Sequence, residues 1–389
     1  MDGAKFAKML SDKHLFELDR MEHKYSVSSV KEFAELLRQN FAQPLSLADF
    51  SGDELFYLPN LAQISTNGMK QLLSAPASNQ TFGLQAMTEE IHATFQIESI
   101  HSSRNSIRHI LNGYAPRNEE ESRIYGMKRG LDFIADRQNT ITEENLHQLY
   151  QISTGDYLPD EDRLLPDRFY RHDVVYVVGG EASREGLPAQ QLPEAMKRLV
   201  DFANAKDGIN ELHKAAILHF AFAYYHPYFD GNGRTARLLH LWYLVQQGYP
   251  AALFTPFSRY IAESKAAYYK AYDRVEKNAL ISGYTDVTPF LSYFCNEVYN
   301  RLQVDVTPPQ ADLQIYQAAL SEGKITEKER LLWEYVLSAY GAEEFTTKQL
   351  EKDFRNAAYA TIRTFVMKFH EMGLLMARKA GNRIFYKVN

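Results

Sequence analysis

Three observations predict a mainly α-helical protein: a helical bundle with one small β-hairpin, followed by a short C-terminal module. Apolar residues recur at helical spacing on both sides of one polar loop, at Leu212, Ala215, Ala216, Leu218, Phe220 and Phe222 before it and at Leu238, Leu239, Leu241, Trp242, Leu244 and Val245 after it. One internal run, Phe169–Gly180, is rich in β-branched and aromatic residues and is closed by two glycines, which reads as a strand. Residues 325–389 read as three helices and then two strands around a Gly381–Asn382 turn.

The elements follow in order. Residues 1–85 are polar, mixed and loop-rich, with an amphipathic stretch at Val30–Phe41, and are expected to form a mostly helical segment that packs on the main body. Residues 86–303 form that body, opening with a helix pair at 86–106 and continuing with helices over 118–137 and 142–154. Thr142 followed by Glu143 and Glu144 places acidic side chains in a first turn, where the helix dipole favours them. After the strand region, Pro188 and Pro193 lead into a helix from Glu194 to Asn204. Helices from Asn210 to Tyr225 and from the end of the polar loop to Gly248 and Pro250 come next. A tyrosine-bearing helix spans Tyr260–Lys277, and Pro289–Leu302 closes the body. Residues 304–324, with Pro308–Pro309, read as a linker to the module at 325–389.

The 389 residues are 45% hydrophobic and 13% aromatic, which calls for a packed core rather than disorder. The single cysteine, Cys295, excludes an intramolecular disulfide and a Cys-rich metal site. The start, Met1–Lys5, has no apolar signal core and no apolar run reaches membrane-spanning length, so the expected setting is cytoplasmic, with no membrane contact. A net charge of −6 gives no global nucleic-acid signal, and there is no Gly-x-x-x-x-Gly-Lys-Ser/Thr loop.

The chemistry concentrates in the loop His226-Pro-Tyr-Phe-Asp-Gly-Asn-Gly-Arg-Thr-Ala-Arg237. Gly231, Asn232 and Gly233 lie at a helix N-terminus, where free backbone N–H groups and the positive end of the dipole attract an anion. Glycines let the backbone approach a ligand closely, and successive amides form an anion-binding nest. Arg234 and Arg237, three apart, share a helix face, and their planar forks suit phosphate oxygens. Asp230 is placed to hold a Mg²⁺, an ion that takes one or two carboxylates plus substrate oxygens. His226 precedes Pro227, which disfavours α conformation and ends the helix there, leaving an imidazole to take a proton from a hydroxyl.

This stretch resembles the signature of the Fic family, His-Pro-Phe-x-Asp/Glu-Gly-Asn-Gly-Arg-x-x-Arg, departing only at Tyr228, which keeps an aromatic wedge. The resemblance implies a helical enzyme that transfers AMP from ATP to a protein Ser, Thr or Tyr, with itself among its targets. It implies His226 as base, Asp230 as Mg²⁺ ligand, Gly231, Asn232 and Gly233 as cradle of the α- and β-phosphates, and Arg234 and Arg237 as holders of the β- and γ-phosphates. Upstream, Thr94-Phe-Gln-Ile-Glu98-Ser99 resembles the family's inhibitory motif Ser/Thr-x-x-x-Glu-Gly/Asn, with Ser99 departing at the last position. It implies that Glu98 pairs with Arg237 and displaces the γ-phosphate. The 169–180 run resembles the family's flap, to whose edge a target segment adds by backbone hydrogen bonds. Tyr268 and Tyr269 fall where a Tyr-Tyr helix lies near the adenine, although core packing is the more ordinary role for such residues.

Residues 325–389 resemble a winged helix-turn-helix, with Thr361, Arg363, Thr364 and Lys368 on the third helix. From Phe345 onward nine Lys or Arg face three acids, a net +6 that leaves −12 on the rest of the chain. That asymmetry points to an anionic partner such as DNA, while protein docking or homodimerisation remains the alternative for such a module. Two other functional classes stay open: a DNA-binding regulator whose loop senses nucleotide, and an enzyme of the same kind that uses another nucleotide donor or removes AMP.

Overall fold

The two helices that flank the polar loop, Glu211–Tyr225 and Asn232–Gln246, are buried around nearly their whole circumference, so they occupy the centre of the molecule. The computed structural model describes residues 1–65, 72–73, 81–177, 184–249, 251–302, 310–340 and 344–389. Around the central pair stand the helices Thr81–Ile97, Arg104–Leu111, Glu119–Ala135, Glu143–Ser153 and Leu192–Asn204. Phe95, Ile124, Met127, Leu149, Phe222 and Trp242 share one core with them. The sequence marks their starts well. Asn210 accepts from the Leu212 and His213 amides, Thr142 from the Asn145 amide and Asn118 from the Glu121 amide, each satisfying donors at a helix N-terminus.

Residues 1–61 hold three α-helices and a hairpin. Helices Gly3–Leu10, Leu18–Tyr25 and Val27–Phe41 precede an antiparallel hairpin, Gln43–Ala48 with Glu54–Tyr57. Two of these helices have only eight residues, too few turns for apolar spacing to stand out in the sequence. Met9, Met21, Val30 and Phe33 form a small core with Phe56 and Leu58 of the hairpin side. The Leu18 amide donates to Asn278 Oδ1 at 3.0 Å, fastening this part to the main body.

The tyrosine-bearing helix expected over Tyr260–Lys277 is two helices, Phe257–Glu263 and Lys265–Ser282. Ser264 causes the break: its hydroxyl bonds the Tyr260 carbonyl at 2.7 Å and the Tyr293 hydroxyl at 2.8 Å, competing with the helical ladder. The strand expected over 169–180 shrinks to Tyr176–Val177, antiparallel to Arg184–Glu185; residues 178–180 of that reading lie outside the described residues.

The C-terminal region holds helices Glu327–Ala339, Thr347–Phe354 and Tyr359–Glu371, then the antiparallel hairpin Leu375–Ala380 with Arg383–Val388. Thr326 and Glu329 form a capping box at its first helix. Trp333, Phe345, Leu350, Ile362, Phe365 and Phe369 make its core. A further helix, Gln310–Ser321, occupies much of the span read as linker, whose residues 304–309 lie outside the described residues. The region is not set apart from the bundle. Leu84 of the Thr81–Ile97 helix packs against its core, Tyr335 donates to Asn112 Oδ1 at 3.1 Å, and Tyr114 donates to the Lys352 carbonyl at 3.3 Å. Among the described residues, no helix is long and apolar enough to cross a membrane.

Candidate active site

The loop between the two central helices is built by its own side chains. The Glu211–Tyr225 helix ends at Tyr225, and His226 adopts the left-handed conformation, φ 56° and ψ 61°, as its C-cap. That conformation is uncommon for a residue with a Cβ. Pro227, with no N–H, cannot continue the helix. The Asn232 side chain then closes the loop, accepting from the Tyr228 amide at 2.9 Å and donating to the Tyr228 carbonyl at 2.8 Å. Tyr228 is fully buried and stacks on Tyr150 with ring centroids 3.5 Å apart. Gly231 turns the chain with φ 81°, and a Cβ there would collide with the Thr154 side chain.

His226 is partly buried among the flap, the loop and the Glu211–Tyr225 helix. Its Nδ1 lies 3.2 Å from the Ala223 carbonyl, so Nδ1 carries the proton and Nε2 is the free acceptor. Burial, chiefly, with help from the Arg184 and Arg171 charges and against the Ala223 bond and the Glu98 charge, pulls its pKa down to about 4. The imidazole is therefore neutral at physiological pH, as a base must be.

Asp230 is half-exposed. Its carboxylate accepts from the Gly231 amide at 2.5 Å and pairs with Arg234 at 2.7 Å. Arg237 is almost fully buried, and three of its contacts come from the Thr81–Ile97 helix and the residue after it. Nε donates to Thr94 Oγ1 at 2.6 Å, while Nη2 donates to the Thr94 carbonyl at 3.3 Å and to Glu98 Oε1 at 2.6 Å. Arg237 Nη1, beside Gly233, has no partner among the described residues. A Cβ on Gly233 would collide with Glu98 Oε1, so the ion pair in this pose needs a glycine there.

Glu98 owes its position to the helix end. The Ile100 amide bonds the Phe95 carbonyl at 2.9 Å and the Ser99 amide bonds the Gln96 carbonyl at 3.2 Å, a Schellman motif with Ser99 left-handed at φ 59°. Glycine and asparagine favour that conformation, and here Ser99 adopts it in their place. Glu98, Gly233, Arg237, His226, Tyr269 and Glu276 line one open cleft of about 630 Å³.

Residues 140–244, which include this loop, match the model of the Fic/DOC family. The chain carries a Fic domain. It is 31% identical over 181 residues to protein adenylyltransferase fic-1 of Caenorhabditis elegans, covering 45% of this chain and 31% of that one. It is 29% identical over 140 residues to protein adenylyltransferase Fic of Drosophila willistoni, covering 35% of this chain and 26% of that one. The chain thus spans less than a third of these relatives' length. A Fic family protein from Desulfovibrio desulfuricans shares the fold, with a TM-score of 0.52 at 16% identity over 84% of this chain and 97% of that one.

In this Fic domain, His226, Gly233, Arg237 and Glu98 face a common space, and Asp230 and Arg234 pair at the loop's side. The Asn232 side chain is turned into the loop, so only its backbone is left for a ligand. Tyr268 is a buried residue whose hydroxyl bonds His219 at 2.8 Å, and both it and the half-buried Tyr269 border the cleft. Two further residues are central to the geometry. Thr94 stands one helical turn before Glu98, a spacing that puts both on one face. Arg171 reaches His226 from the flap, and nothing in the sequence spacing signals that contact.

The buried imidazole sets an expectation for acid stability. Between pH 6.5 and about 4 an unfolded His226 takes up a proton that the folded one refuses, so stability falls as pH drops through that window. The cost is at most about 3 kcal/mol. His219 and His240, also buried and lowered, act in the same direction, so the comparison must be with a variant. His226→Ala should lose less stability than wild type between pH 7 and pH 5 in chemical denaturation; equal losses would contradict this account.

Proposed function

We propose that the chain transfers AMP from ATP to a hydroxyl side chain of a protein, itself included, and that Glu98 holds this activity in check. The observation that supports it most directly is the Glu98–Arg237 bond of 2.6 Å within the cleft that His226 also lines. The loop amides and the free Nη1 of Arg237 offer donors for a polyphosphate. A target segment adds to the flap edge at Tyr176–Val177, where Tyr176 and Val174 are exposed. His226 Nε2 takes the proton as the hydroxyl oxygen bonds to the α-phosphorus; the bond from that phosphorus to the bridging oxygen breaks and pyrophosphate leaves. The contribution of the chain is positioning and charge stabilisation.

Asp230 fits a Mg²⁺ site: it is one half-exposed carboxylate, and among the described residues no cluster of three or more His, Cys, Asp or Glu could hold a metal unaided. Bound there, Mg²⁺ would neutralise phosphate charge, with nucleotide oxygens completing its shell.

Incubation of wild type, Glu98→Gly and His226→Ala with α-labelled ATP and Mg²⁺, followed by intact-mass analysis, tests the reading. An AMP adduct on Glu98→Gly that is absent from His226→Ala is expected. No adduct on any of them, with ATP still bound, would favour a nucleotide sensor instead.

A second contact is proposed for the C-terminal region. Lys348, Lys352, Arg363, Lys379 and Arg383 are exposed there, within a net +6 stretch, which supports an anionic partner. Duplex DNA should bind with an affinity that falls steeply with salt; no mobility shift at low salt would leave protein docking.

A further inference from the structure

Arg171 is 2% exposed and gives its guanidinium to backbone carbonyls alone. Nε donates to the His226 carbonyl at 2.8 Å, Nη1 to the Asp173 carbonyl at 2.5 Å, and Nη2 to the Leu187 carbonyl. These acceptors belong to three separate pieces of chain: the His226 loop, the segment entering the flap and the segment leaving it. Backbone bonds follow the same pattern. The Arg171 amide donates to the Pro227 carbonyl at 3.0 Å, the Gly186 amide to the Val175 carbonyl at 2.9 Å, and the Leu187 amide to the Tyr225 carbonyl at 3.2 Å. Gly186 makes room for the junction: a Cβ there would lie 2.8 Å from Arg171 Nη2, 2.9 Å from Val175 Cγ1 and 3.3 Å from His226 Cβ.

We propose that Arg171 is the positioning residue for His226, one guanidinium that fixes the left-handed peptide of the base and both ends of the flap in a single frame. The physical reason is local. A left-handed residue other than glycine carries strain and persists only where its surroundings over-determine it. The His226 amide completes the helix, bonding the Phe222 carbonyl at 3.1 Å, and its carbonyl is taken by Arg171, so both polar groups of the strained residue are held. The fork geometry of arginine spans three diverging carbonyls, and the compact ammonium of lysine cannot. Since the flap ends hang on the same side chain, the hydroxyl docked at the flap and the imidazole that takes its proton share one reference. Arg171 touches neither nucleotide nor target in this role.

The inference rests on the transferase reading for its kinetic test and is independent of it for its spectroscopic one. Arg171→Lys and Arg171→Met are made in the Glu98→Gly background, where transfer is measurable. The AMP-transfer rate at saturating ATP should fall about 10- to 100-fold, the size of effect that small misplacements of reacting groups produce. ATP affinity, measured by equilibrium binding, should stay within about twofold, because Arg171 bonds the His226, Pro227, Asp173 and Leu187 carbonyls and none of the proposed phosphate donors. In NMR titration the His226 ring of both variants should protonate at higher pH than in the parent, toward the ordinary histidine range of about 6.5 as water reaches it. Arg184, the other charged group facing the ring, is the same in parent and variants, position 98 is glycine in all of them, and Arg171→Lys keeps the charge at 171.

Transfer at the parent rate would overturn the proposal. So would an unchanged His226 titration, or a loss of ATP affinity that parallels the loss of rate, which would mark a general collapse of the loop. If the Glu98→Gly parent itself transfers no AMP, the transferase reading fails, and the His226 titration still decides the role of Arg171. Should Arg171→Met not fold, Arg171→Lys, which keeps the charge, carries the test.

Discussion

Glu98→Gly is expected to label itself with AMP about 10- to 100-fold faster than wild type. That range follows from the ~1.5–3 kcal/mol of a hydrogen bond to a charged group, converted at 1.4 kcal/mol per decade. In the wild type the Arg237 Nη2 donor is spent on Glu98 Oε1 at 2.6 Å and cannot serve a phosphate oxygen. Removing the carboxylate frees it, while Thr94 still fixes the guanidinium through Nε at 2.6 Å. The geometry therefore predicts release without loss of the binding residue. Glu98→Gln should fall between the two, since its amide oxygen still accepts the bond but carries no charge. Equal labelling in wild type and Glu98→Gly, with equal ATP affinity, would show that the ion pair does not restrain the reaction.

His226→Ala in the Glu98→Gly background should lower labelling about 10²- to 10⁴-fold, the usual weight of a positioned general base. ATP affinity should be unchanged, because the phosphate donors lie in the loop backbone and the arginines. The pH profile gives a second measurement. With a pKa near 4, which the Glu98 charge raises, the imidazole remains unprotonated well below neutrality, so the acid limb of transfer by Glu98→Gly should fall at or below about pH 4 rather than 6.5. Retention of full rate by His226→Ala would move the proton transfer elsewhere.

Much of the site was legible because its parts are neighbours in the chain. The loop from His226 to Arg237 lies between two apolar helices, and local rules suffice for it: a proline that ends one helix, a glycine that turns the chain and amides at the start of the next. The Glu98–Arg237 pair spans 139 residues and was legible only through the short motif at Thr94–Ser99, since spacing along a chain says nothing about which distant helix arrives. The flap's aromatic and β-branched residues suggest a long strand, yet Arg171 and its neighbours bond to the loop, and among the described residues of that run only Tyr176–Val177 pairs. Ser264 is a similar case, where a hydroxyl with a tertiary partner splits a helix that periodicity alone would join.

By itself the sequence determined the helical class and the loop from His226 to Arg237, and it put His226 forward as the proposed base, because those depend on which residues are adjacent and on the period of the apolar ones. Tertiary structure alone decided the left-handed set of His226, the lowered proton affinity of its ring and the guanidinium of Arg171 that holds it from 55 positions away. The physical reason is that burial and a bond to a backbone carbonyl depend on the packing of the whole chain, and any residue type can supply the carbonyl.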